Sequence, residues 1–113
     1  MSYARMVLSH LQEVQQLPQD VRADIAARVS SFIQIGKTAK NESLLGTFAS
    51  AAMEEQAKAI GQGATTLDPR WAAPALAEAW CYATLSISKG YLERADAMAI
   101  VKAIETFASG AKG

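Results

Sequence analysis

Reactive side chains are few in this chain, and their spacing limits the chemistry they can do. His10 is the only histidine and Cys81 the only cysteine among 113 residues. An imidazole can act as acid, base or metal ligand near neutral pH. A metal site here would need carboxylates from other helices, and neither a His pair nor a Glu-x-x-His spacing advertises them. His10 therefore reads as a half-buried or exposed polar residue at the edge of an apolar stripe. Cys81 would need a helix N-terminus or a nearby base to become a thiolate, and His10 is the sole candidate. It lies between Trp80 and Tyr82 in mid-helix, where a free cysteine behaves as a small hydrophobe.

The acidic and glycine-rich motifs carry no more. Glu54 and Glu55 are adjacent, so on a helix they point about 100° apart and form no acid–base dyad. Gly61-Gln62-Gly63 has neither the preceding strand nor the following Lys-Ser or Lys-Thr of a phosphate loop, and reads as a cap and a turn. The best remaining set for an enzyme is Asp68, Arg70, Glu54, Glu55 and His10, which forms no recognisable catalytic constellation. No catalytic residue, metal ligand or cofactor is assigned.

Charge excludes two partner classes. Eleven Lys and Arg balance eleven Asp and Glu, and the basic residues are scattered from Arg5 to Lys112, so no concentrated field attracts phosphate backbone or anionic lipid. A helix-turn-helix reading also fails, because Lys37 and Lys40 fall in a connection while the would-be reading helix offers Leu, Ala and Ser. No segment approaches the ~18 apolar residues of a membrane span. Apolar residues up to Val14 are interrupted by Arg5, His10, Gln12 and Glu13, unlike a secretory leader. With one cysteine and no disulfide, a cytoplasmic location is expected.

The elements that must position these residues are helices. Apolar residues recur at helical spacing almost throughout, and no segment alternates long enough for a strand. The expected fold is all-α: one domain of about five helices at 3–16, 18–36, 42–60, 73–89 and 94–109, with Ala-rich central helices. The stripes are Tyr3, Val7, Leu11 and Val14 with Leu8; Val21, Ile25, Val29, Phe32 and Ile33; Leu45, Phe48, Ala49, Ala52, Met53 and Ile60; Leu76, Ala77, Trp80, Ala83, Thr84 and Ile87; and Ala97, Ile100, Val101, Ile104, Phe107 and Ala108. Leu17-Pro18 separates the first two helices, and Gly36, Gly61 and Gly90 are the expected stops. Asn41 is the expected cap of the third helix, and the tail from Gly110 is expected to fray. Asp68-Pro69 has the form of a helix start, but Pro74 five residues on implies either a separate turn before it or a kink.

Composition points to function of a limited kind. Twenty-three alanines contrast with 24 Leu, Ile, Val and Phe together, and alanine burial removes far less apolar surface from water. A monomer is thus short of core, and a homodimer sharing an apolar face would relieve it. Trp80 and Tyr82 point about 200° apart on a helix, so both cannot enter one core. The expected interface is Gly46, Ser50, Ala75, Ala79, Tyr82 and Trp71. The expected function is a non-catalytic interaction or structural module that self-associates or docks a protein partner. The alternative is a binder of a small apolar ligand, in a pocket between the third and fourth helices lined by Phe48, Met53, Trp71, Trp80 and Tyr91.

Overall fold

The computed structural model describes residues 2–38 and 42–110. Within them the chain forms α1 (Tyr3–Gln15), α2 (Gln19–Lys37), α3 (Glu42–Gly61), α4 (Pro69–Lys89) and α5 (Arg94–Ser109), with no strand among the described residues. This is the all-α single-domain bundle that the periodicity predicts. Lys40 and Asn41, with the expected cap, and the last three residues of the tail lie outside the described residues.

Local chemistry sets most helix ends. Ser2 caps α1, its hydroxyl accepting from the Arg5 N–H at 3.2 Å, which satisfies one of the donors left open in a first turn. Gly90 closes α4 in the left-handed region, φ 75°, donating to the Ser86 carbonyl. At the end of α3 the left-handed residue is Gly63, φ 85°, rather than Gly61, which remains helical. The Gly63 N–H donates to Ile60 and the Ala64 N–H to Ala59, the paired bonds of a Schellman motif.

Two sequence expectations need correction. Gly36 does not stop α2: the helix runs through it to Lys37 and closes at Thr38. Its role is space, because a Cβ there would stand 2.5 Å from Trp80 Cζ3. Nor does Pro74 delay α4, which starts at Pro69 and continues through Pro74. The start holds because Asp68 accepts from the Arg70 N–H at 2.9 Å and also forks onto the Arg70 guanidinium. The capped first turn outweighs the one hydrogen bond Pro74 cannot make.

α4 is the axis of the bundle. It packs against α1, α2, α3 and α5, and ten of its residues are buried, which few helices with large side chains all round would allow. Ala72, Ala73, Ala77 and Ala83 are essentially inaccessible, so the surrounding helices approach closely. α4 adds Leu76 and Trp80 to the core, and the other large groups come from its neighbours: Leu11 and Val14 of α1, Ile25 and Val29 of α2, and Ile100 and Ile104 of α5. α3 lies antiparallel to α4, fastened where Glu42 meets Lys89 at 3.0 Å and Ser88 at 2.8 Å.

The outer helix departs from its predicted stripe. α3 buries only Ala52 and Ala59, while Met53 and Ile60, expected inside, are 54% and 52% exposed. With α4 already enclosed on its other sides, α3 has only that helix and an edge of α2 to pack on. Its apolar girdle is wider than the surface available to cover it.

Candidate functional site

α1 and α3 both lie on α4 but hardly touch each other, and this leaves a trough of about 420 Å³ between them. One wall is a continuous face of α1: Tyr3, Met6, Val7, His10 and Glu13 line it, recurring at helical spacing. The floor comes from α4, where Trp71, Ala75 and Ala79 fall on successive turns beside Glu78. Gln56 of α3 and Thr66 of the α3–α4 loop close the far side.

Ring contacts fix α1 antiparallel to α4. The Tyr3 and Tyr82 rings meet edge-on at 5.1 Å, and those of His10 and Trp71 at 5.3 Å. His10 Nε2 lies 2.7 Å from the Thr66 carbonyl oxygen; a carbonyl only accepts, so this nitrogen carries the proton. The imidazole is thereby a strut between α1 and the loop. Across the trough Gln56 Nε2 donates to Glu78 Oε1 at 2.8 Å. Burial foremost, then the charges of Glu78 and Tyr82, pushes the Tyr3 hydroxyl up to about 12. Burial likewise, followed by Glu78, pushes the Cys81 thiol up to about 11. Cys81 is accordingly a protonated, buried thiol rather than a nucleophile.

Sequence-expected interface residues separate into two groups. Gly46 and Ser50 lie on α3, half-buried and exposed respectively. Ala75 and Ala79 form the trough floor, with Ala79 buried. Tyr82 is covered by Tyr3 and stacked at 5.7 Å on Tyr91, so α1 already occupies that end of the face, and Trp71 is half-buried under His10.

Residues expected to line a ligand pocket do not converge. Trp80 is 2% exposed in the core and donates through Nε1 to Glu105 at 2.9 Å. Phe48 packs half-buried against that core, Met53 faces outward, and Tyr91 is 55% exposed near the α4–α5 turn. Only Trp71 of the five lines the trough.

Several of the ionisable residues do share a second groove, of about 470 Å³, between α2, α3 and the start of α4. Arg28, Glu54, Glu55, Lys58 and Arg70 line it. Its two guanidinium groups are engaged: Arg28 with Asp24 at 3.0 Å, and Arg70 with Asp68 at 2.8 Å. His10 is elsewhere, in the trough. Among the described residues, no group of three or more His, Cys, Asp or Glu could hold a metal ion, and no helix is long and apolar enough to cross a membrane. Comparison with protein-family models, curated proteins and solved structures gives no match.

The Asp68 cap has a measurable acid signature. Hydrogen bonds from the Arg70 side chain and then its backbone lower the Asp68 carboxyl to about 2, below the ~3.9 of a free aspartate. Its contribution to stability is fully present above the free value and disappears as pH falls from about 4 toward 2. Asp68→Asn, which can still cap but loses the ion pair, is expected to flatten the melting temperature against pH in that window. A wild-type-like pH profile in Asp68→Asn would remove this role.

The trough depends on packing that the sequence does not record. Its α1 wall is legible as Tyr3, Met6, Val7 and His10 at helical spacing, but only Tyr3 and Val7 fall in the inward stripe. Met6 stands beside Arg5, and nothing local marks its side.

Proposed function

We propose that the protein is a non-catalytic helical interaction module that self-associates or docks a protein partner through the outer flank of α3. The observation that carries this reading is the row Gly46, Ser50, Met53, Ala57 and Ile60. Its members alternate by four and three residues along α3, and all are exposed except half-buried Gly46. That spacing is the seam of paired helices, and small residues beside Met and Ile allow a second helix to approach closely. A two-fold axis beside the row would set it against its own copy. The thin supply of large apolar side chains supports a shared face, since α3 alone leaves two of its largest half in water. Among the described residues, His10 Nε2 is held on the Thr66 carbonyl and Cys81 is buried, so both side chains serve the packing.

Light scattering on size-excluded protein tests this reading. The expected mass is twice the 12.0 kDa of one chain. Met53→Glu combined with Ile60→Glu is expected to give a monomer with unchanged helical circular dichroism, because both side chains already face water. A dimer that survives both substitutions would overturn the assignment of α3. A monomeric wild type would eliminate self-association and leave partner docking as the remaining form.

A further inference from the structure

We infer that the trough between α1 and α3 is a docking groove for a cationic amphipathic helix of a partner protein; this rests on the interaction-module reading and adds a partner chemistry to it. The groove is open along its length, with an apolar floor at Ala75 and Ala79 and an apolar rim at Val7 and Met6, the last 57% exposed. Side chains at alternate turns of an amphipathic helix fill such a channel, as in other helix-in-groove complexes.

Charge selects the occupant. Glu13 and Glu78 line the groove, and no Lys or Arg does. Neither carboxylate takes part in an ion pair among the described residues; Glu78 accepts only the Gln56 amide. Glu13 stands at one end and Glu78 about one turn inside the other. Glu78 is one turn from Tyr82, which Tyr3 covers at the start of α1, whereas Glu13 lies in the last turn of that helix. Ten residues of helix separate Tyr3 from Glu13, about 15 Å at 1.5 Å per residue, and Glu78 stands one turn, about 5 Å, inside the Tyr3 end, so about 10 Å lies between the carboxylates along the groove. A compact amine reaches one carboxylate; a helix carrying Lys or Arg about two turns apart reaches both. Trp71, half-buried in the groove beside His10, adds apolar surface to the lining.

Intrinsic tryptophan fluorescence supplies the test, since Trp71 lies in the groove while Trp80 is sealed in the core. The probes are an amphipathic Leu/Lys peptide of about four helical turns and its Leu/Glu counterpart. The Leu/Lys peptide is expected to change the emission saturably and the Leu/Glu peptide to leave it unchanged. Glu13→Gln with Glu78→Gln is expected to weaken Leu/Lys binding about tenfold, two screened ion pairs being lost. Met6→Lys, on an exposed rim that tolerates substitution, is expected to weaken it as well, and Ala75→Trp to abolish it by filling the floor. Equal binding of both peptides, or wild-type affinity in Met6→Lys and Ala75→Trp, overturns the proposal. So does a long-chain primary amine that competes as well as the peptide, which would make the groove a small-amphiphile site. If the groove fails while Met53→Glu with Ile60→Glu still dissociates the dimer, the module reading survives without it.

Discussion

Trp80→Ala is expected to lower the unfolding free energy by about 3–5 kcal/mol, the range for removing a large buried aromatic side chain. Few positions in this chain have as much to lose. The indole is 2% exposed, its ring lies against the α2 backbone at Gly36, and Nε1 donates to Glu105 of α5. One side chain therefore joins three helices. Against a total stability of about 5–15 kcal/mol for a typical domain, the loss corresponds to a fall in melting temperature on the order of 10–20 °C. Thermal and urea unfolding followed by circular dichroism would measure it. Trp80→Phe keeps most of the ring and loses the bond to Glu105, so it is expected to cost about 1 kcal/mol. A Trp80→Ala cost below that of Trp80→Phe would refute the placement of the indole at the centre of the core.

Gly36→Ala is the second large effect, and its sign opposes helix propensity. Alanine in a helix interior is ordinarily worth about 1 kcal/mol over glycine. Here its Cβ would meet Trp80 at 2.5 Å from Cζ3 and 3.1 Å from Cη2, and overpacking of a tight core costs about 1–3 kcal/mol. The ring cannot easily retreat, held on its other side by Glu105. Net destabilisation of up to about 2 kcal/mol is expected once propensity is subtracted. The double mutant makes the cause testable: in a Trp80→Ala background the space is empty, so Gly36→Ala should become stabilising by its propensity alone. Equal costs in both backgrounds would mean that Gly36 serves the backbone rather than the indole.

These two residues also show where sequence reading stops. Trp80 is inward by periodicity, and the structure places it there. Gly36 resembled a helix stop, because glycine near the end of an apolar stripe most often marks one. Its partner lies 44 positions away on a different helix, and no local pattern records that distance. The ends at Ser2 and Gly90 depend on residues within one turn of them and follow local rules. At Asp68-Pro69 the sequence carries a cap and a competing Pro74 together, and the choice between a separate first turn and one continuous helix is made only in the fold, where α4 runs from Pro69 through Pro74.

The site divides in the same way. The surplus of small residues on the third and fourth helices is visible in composition, and it led to Gly46, Ser50, Ala75, Ala79 and Tyr82 as one face. In the folded chain α1 lies across α4 there, covering Tyr82 with Tyr3 and turning Ala75 and Ala79 into a trough floor. The exposed row on α3 includes Met53 and Ile60, which periodicity alone places inward.

Helical periodicity, small side chains and capping residues determine from the sequence alone that this is an all-α bundle of five helices. They act within one or two turns, where 3.6-residue spacing translates directly into a face. Which apolar faces are covered is decided only in the tertiary structure. Coverage depends on how many neighbours reach a helix: α4 has four and is buried on nearly all sides, whereas α3 has little besides α4 and is left with an apolar flank in water.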